Sequence, residues 1–182
     1  MTIKEITLRV IDALHAAGIP HELVGSFSSN YYGIPRSTED ADFVLQLPGS
    51  SIEGLLEKLG SDFVAVAQMT FETNTGTLRQ ELRFKDTEFK VELFRLSNDA
   101  HDQERWRRRK AITFAGRQTF LPTAEDVIVW KLRWARSKDR DDVRGVIGVQ
   151  QDALDWRYIE GWCERHGTRA LLEEIRRTVP RV

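Results

Sequence analysis

One cysteine, Cys163, is all this chain contains. That excludes an intrachain disulfide and a cysteine-based zinc cluster, and it agrees with a reducing cytoplasm. The four histidines, His15, His21, His101 and His166, show no metal-ligand spacing. Neither sign of charge prevails: 27 Lys and Arg face 28 Asp and Glu, for a formal net charge of −1. No global pull toward nucleic acid or membrane follows, so such a partner would need a local patch. No apolar run approaches the ~20 residues needed to span a bilayer. Near the N-terminus, Lys4, Glu5, Arg9 and Asp12 interrupt the apolar residues, which is not a signal-peptide pattern. The expectation is a soluble cytoplasmic protein with no membrane partner.

At 182 residues the chain is long enough for one domain with a helical appendage. Ile3, Ile6, Val10, Leu14 and Ala17 recur at helical spacing, and Gly18 with Pro20 closes that helix. HELV reads as a buried strand ending at Gly25-Ser26, and FSSNYYG as a short helix closed by Gly33. A strand over 40–47 follows, stopped by Pro48-Gly49. Ser50 with Glu53 is a capping-box signal for a helix reaching Gly60. DFVAVAQ reads as a strand, and the segment 77–96 as two strands around Asp86-Thr87. A further strand pair is expected around Gly116, and Thr123 is the expected N-cap of a helix with acids in its first turn. Helices with breaks near 137–139, near 150–154 and at Gly167 complete the chain. The pattern predicts an α/β or α+β fold, a mixed sheet flanked by helices, with residues 1–121 as core and 122–182 as a C-terminal helical subdomain.

The strand over 40–47 is unusual because it enters through Asp40-Ala41-Asp42. Alternation sends both acids to one face, where like charges are unfavourable unless something offsets them. Thirteen residues separate Ser26 from Asp40, enough for a short helix and a return to a neighbouring strand. Gly25 permits close backbone approach to a ligand, and a helix N-terminus there presents N–H groups to phosphate. A later apolar strand, KVELF, carries a third acid, Glu92.

Val24-Gly25-Ser26, then Asp40-Ala41-Asp42-Phe43, then Glu92 resembles the signature of the nucleotidyltransferase superfamily, which has a polymerase-beta-like fold. GIPRSTEDADFVL is similar to its small bacterial stand-alone branch, and the segment 122–143 resembles AbiEii-type nucleotidyltransferase toxins through Lys131, Lys138, Asp139 and Asp142. The likeness spans roughly residues 21 to 145. Two departures stand out: the third acid is Glu where Asp is commoner, and the usual alanine and arginine spacing after the lysine is missing. The resemblance implies transfer of a nucleoside monophosphate from an NTP to a hydroxyl of RNA or tRNA, protein or a small molecule. Asp40, Asp42 and Glu92 would be catalytic and hold two Mg²⁺ ions, with Mn²⁺ as substitute. Gly25, Ser26, Arg36, Thr38 and Lys131 would bind the nucleotide, and a cognate antitoxin is the implied protein partner. Physical chemistry agrees, since two dications between paired carboxylates remove their repulsion.

Plainer readings stand beside these. Thr38 could close a turn, Arg36 pair with Glu39, and Lys131 meet either a phosphate or a buried carboxylate. Trp130 and Trp134, four apart, read as packing. Arg105, Arg107, Arg108, Arg109 and Lys110 form the one dense basic run, either a solvated face or a grip on an RNA acceptor. The competing reading of the whole is a catalytically inert module that binds nucleotide, RNA or protein.

Overall fold

The computed structural model describes residues 1–47, 49 and 51–179. In chain order the elements are α1 (Ile3–Ala16), β1 (His21–Val24), α2 (Gly25–Tyr32), β2 (Asp40–Leu45), α3 (Glu53–Leu59), β3 (Phe63–Ala65), β4 (Thr70–Glu72), β5 (Thr77–Phe84) and β6 (Lys90–Arg95). They continue as α4 (Ala100–Arg108), β7 (Lys110–Phe114), β8 (Arg117–Leu121), α5 (Ala124–Trp134), α6 (Ser137–Gln150), a 3₁₀ turn (Gln151–Ala153), α7 (Trp156–His166) and α8 (Arg169–Thr178). Among the described residues no helix is long and apolar enough to cross a membrane.

The main sheet runs β1-β2-β6-β5-β3, with β4 also on β5; β2 and β6 are parallel, and the other pairings are antiparallel. This mixed α+β arrangement follows from side-chain alternation. Ala41, Phe43, Leu45, Val91 and Leu93 enter a core with α1 and α3, including Ile6, Val10, Leu55 and Leu59. The alternate residues Val44 and Phe94 turn to the opposite face, where they meet Val24 and Trp106, with Trp130 and Trp134 packed against them. A third apolar cluster joins Tyr32 to Val127, Val143, Ile159 and Leu172, and so holds α5 to α8 against α2. The approach is tightest at Gly33, where an added Cβ would lie 2.8 Å from the Val146 backbone nitrogen.

Several local signals act as read. Thr123 Oγ1 caps α5 by accepting from Asp126 N at 3.3 Å, and Gly167 closes α7 with φ +70°. The capping box read at Ser50 lies outside the described residues; Glu53 N donates to Ser51 Oγ at 3.1 Å. The helix expected through residue 136 stops earlier, because Ala135 takes a left-handed φ of +53°. Across this break the arginines diverge: Arg133 pairs with Asp99, Arg136 with Asp139 and Arg140 with Glu174.

The basic run is not simply a solvated face: Arg105 is buried and Arg108 and Arg109 are half-buried, while Arg107 and Lys110 stay exposed. Arg105 is 1% exposed, sits 3.3 Å from Glu22 and 3.6 Å from Asp102, and lies over the Trp130 ring. Arg108 bonds Asp126 at 3.2 Å and covers Tyr158, and Arg109 is stacked on Trp106. Arg107 is exposed beside Glu104, and Lys110 is exposed at the start of β7. Ring stacking and ion pairs thus tie Arg105, Arg108 and Arg109 to the fold.

Glu22 and Arg105 approach without hydrogen-bond geometry, so their contact is coulombic. Burial pushes the Glu22 carboxyl up to about 7, against the attraction of Arg105. Stability from this group is thus present below its ordinary range and lost as pH rises through about 7. Arg105→Met should leave Glu22 buried and uncompensated, costing roughly 3–5 kcal/mol near pH 8. The cost should shrink near pH 5, where Glu22 is neutral in the folded variant. Urea melts at both pH values check this, and Glu22→Leu added to Arg105→Met should recover most of the loss.

Candidate active site

The turn from β1 into α2 sets the geometry. Val24 is extended at φ −120°, and Gly25 then takes φ +64°, a left-handed value that glycine adopts without strain. An added Cβ at Gly25 would lie 1.9 Å from Asp42 Oδ2, so backbone and carboxylate are in direct contact. No side chain caps α2, which leaves its first N–H groups directed at that carboxylate's surroundings. Two of its serines act within the helix, as Ser28 Oγ donates to Gly25 O at 2.9 Å and Ser29 Oγ to Ser26 O at 3.2 Å.

Sheet register brings the acids together. Val24 opposes Asp42 on β2, and Asp42 opposes Glu92 on β6, so all three share a face with Asp40. A cleft of about 360 Å³ opens there, lined by Gly25, Ser26, Arg36, Thr38, Asp40, Asp42, Glu92 and Lys131. Every residue singled out from sequence as catalytic or nucleotide-binding thus lies on one cleft. Burial, then the charges of Glu92 and Asp40, push the Asp42 carboxyl up to about 7, with Lys131 and Lys138 opposing. Burial also raises Glu92, opposed by Arg79.

The loop before β2 is tied by side chains. Asn30 Nδ2 donates to Arg36 O at 2.8 Å and its Oδ1 accepts from Arg36 N at 3.0 Å. Ser26 Oγ donates to Thr38 Oγ1 at 2.7 Å, and Thr38 Oγ1 donates to Asp40 O at 3.1 Å. Thr38 therefore closes the turn and also holds Ser26 at the cleft. Arg36 does not pair with Glu39; it reaches Asp142 with two bonds, at 2.7 and 3.0 Å. Lys131 lies between Asp142, at 2.6 Å, and Asp139, at 3.3 Å, and Arg136 holds Asp139 at 2.6 Å. Burial would raise Asp142, but hydrogen bonds from Arg36 and Lys131 outweigh it and hold its carboxyl below the usual range. Lys131 is thus paired with buried carboxylates while lining the cleft.

Arg79 and Phe94 line the cleft without having been singled out in the sequence: Arg79 Nη1 meets Glu92 Oε1 at 3.0 Å, and Phe94 forms an aromatic wall with Trp130 and Trp134, which had been read as packing. The two tryptophan rings meet edge to face at 5.6 Å, and Phe94 meets Trp130 likewise at 6.5 Å. Phe94 was findable, two residues beyond Glu92 in one strand; Arg79 depended on strand pairing. Among the described residues, no three His, Cys, Asp or Glu side chains form a group that could hold a metal by itself. Ions here would therefore draw remaining ligands from substrate and water, as Mg²⁺ does with phosphates.

No protein-family model matches the chain, and no curated protein matches it in sequence. Solved structures do. The chain is similar to ANT(2″)-Ia in complex with adenylyl-2″-tobramycin, with a TM-score of 0.62 and 14% identity over 93% of this chain and 99% of that one. The solution structure of the antibiotic-resistance factor ANT(2″)-Ia gives 0.58 and 13%, covering 96% of each chain. An antigenic nucleotidyltransferase-like protein from Paracoccidioides brasiliensis gives 0.58 and 17%, covering 99% of this chain and 94% of that one. At such identities the likeness is one of architecture: the chain has a nucleotidyltransferase fold.

Proposed function

We propose that the protein is a Mg²⁺-dependent nucleotidyltransferase that moves a nucleoside monophosphate from an NTP onto a hydroxyl acceptor. The observation carrying this reading is the face shared by Asp40, Asp42 and Glu92, with Gly25 in contact with Asp42 at an uncapped helix N-terminus. The donor set fits the metal: carboxylate oxygens in an open cleft leave coordination positions for phosphates. Burial and neighbouring acids make the Asp42 charge unfavourable without a cation, which is the state a dication reverses. Asp40 and Asp42 would hold the ions, Glu92 would be the third ligand, and Mn²⁺ suits the same oxygens. Bound Mg²⁺ supplies stabilisation of charge on the α-phosphate and the leaving pyrophosphate.

The chain's own groups do the rest. Gly25 and Ser26 offer the α2 N-terminus to the triphosphate, and Lys131 and Lys138 place positive charge on the same cleft. Arg36 and Thr38 fix the loop that delivers Asp40, through Asn30, Ser26 and Asp142. Glu92 would orient the incoming hydroxyl. Because Arg105, Arg108 and Arg109 are engaged inside the fold, we favour a small-molecule or protein hydroxyl over RNA. The AbiEii-like branch, with a cognate antitoxin as partner and a cytoplasmic setting, belongs to the same proposal through Lys131, Lys138, Asp139 and Asp142.

Two outcomes test it. Asp42→Asn keeps shape and removes the charge that holds the ions, so label transfer from α-³²P-NTP should fall by ~10²-fold or more. Circular dichroism should show the variant folded, and wild-type transfer from folded protein would end the mechanism. Gly25→Ala places a methyl against the Asp42 carboxylate at a positive φ, where non-glycine residues cost about 1–3 kcal/mol. It should lower the melting temperature and abolish the extra stabilisation that NTP with Mg²⁺ gives the wild type, about 2.7 kcal/mol at 100 times Kd. Equal stabilisation of the wild type by NTP with and without Mg²⁺ would instead identify a binding module.

A further inference from the structure

Glu92 is the acid whose position the two-ion reading depends on, and it is already engaged. Arg79 Nη1 lies 3.0 Å from Glu92 Oε1, while Arg79 Nε donates to Thr70 Oγ1 at 2.9 Å. The guanidinium is therefore held at both ends, by β4 and by β6. Strand register explains why. Glu81 is the residue directly opposite Glu92, and Arg79 is opposite Phe94, so Arg79 reaches Glu92 diagonally across the pair. Glu81 is drawn off by Arg83, whose Nε lies 2.7 Å from Glu81 Oε1. The like charges facing each other on β5 and β6 are thus each neutralised by an arginine of β5. Among the described residues neither Asp40 nor Asp42 makes an ion pair of this kind, and Asp42 feels Lys131 and Lys138 only at longer range.

Resting on the proposed function above, we infer that Arg79 is a positioning residue that withholds Glu92, so that the free cleft takes one divalent ion at Asp40 and Asp42 instead of two. A second ion then has to compete with a fixed guanidinium for the Glu92 carboxylate. The anionic substrate supplies what that exchange needs: its phosphates can accept the guanidinium as it leaves Glu92. The ordering makes assembly of the full metal site depend on bound substrate, which limits idle turnover with water.

Mn²⁺ is the probe, counted by electron paramagnetic resonance of the free ion in titrations of the full chain without nucleotide. The wild type should bind one ion, lost in Asp42→Asn. Arg79→Gln should bind a second with affinity at least about fivefold above any second site of the wild type, given what a partly exposed ion pair contributes. Adding Glu92→Gln to Arg79→Gln should remove that second ion. Thr70→Val keeps Arg79 but frees its far end, so it should shift the second ion in the same direction and serves if Arg79→Gln is unstable. Two ions on the wild type, or one ion on both Arg79→Gln and Thr70→Val, would overturn the role of Arg79 while leaving the metal site standing. No ion on the wild type, or binding untouched by Asp42→Asn, would overturn the metal-dependent function itself, and this inference with it.

Discussion

The contact between Gly25 and Asp42 is the constraint on which the site depends. A side chain at residue 25 would lie within 1.9 Å of the Asp42 carboxylate, so the β1–α2 turn and β2 can be neighbours at this spacing only with glycine. That spacing does two things at once. It aims an uncapped helix N-terminus, the positive end of its dipole, at the place where anions would lie. It also takes Asp42 partly out of water, which raises its affinity for a proton and favours any cation that replaces one. A wider turn would leave a solvated aspartate with no strong preference for either.

Around that contact the charged residues form a chain of alternating sign. Arg36, Asp142, Lys131, Asp139 and Arg136 link the loop before β2 to α5 and α6 through bonds of 2.6 to 3.3 Å. Buried carboxylates are costly alone, and here each has two cationic partners, which is the arrangement that makes their burial tolerable. The left-handed residue Ala135 ends α5, α6 starts at Ser137, and Lys131 and Asp139 meet across the break. The network therefore sets the position of Lys131 by fixed charges instead of leaving it as a free cation.

Much of this was legible in the sequence, for physical reasons that differ by residue. Asp40, Asp42 and Glu92 could be placed because alternation within a strand is local and rigid. Gly25-Ser26 could be placed because a strand-to-helix turn with glycine has few geometries. The burial of Arg105 was not legible in the basic run, since a count of arginines carries no information on which way a helix turns them. Glu22 gave the missing clue: a carboxylate at the centre of HELV, an otherwise buried strand, needs a buried cation, and Arg105 is that cation. Arg79 could not be found, because its partner depends on a strand register that the turn around Asp86 does not specify. Trp130 and Trp134 were read as packing; they pack beneath Phe94 and also wall the cleft.

Two acids on the same sheet face, Glu22 fully buried and Asp42 half-buried, show how position decides chemistry. Glu22 and Asp42 lie on adjacent strands, both pushed up to about 7 chiefly by burial. Glu22 is fully buried beside Arg105, with Asp102, Asp126 and Arg109 acting on its charge, so nothing from outside can reach it. Asp42 lies at the end of the same face where the sheet meets the open cleft, with Asp40 and Glu92 beside it. The same desolvation thus yields a structural ion pair in one place and an unmet demand for a cation in the other. Access, set by where α4 and α5 cover the sheet and where they stop, separates the two roles.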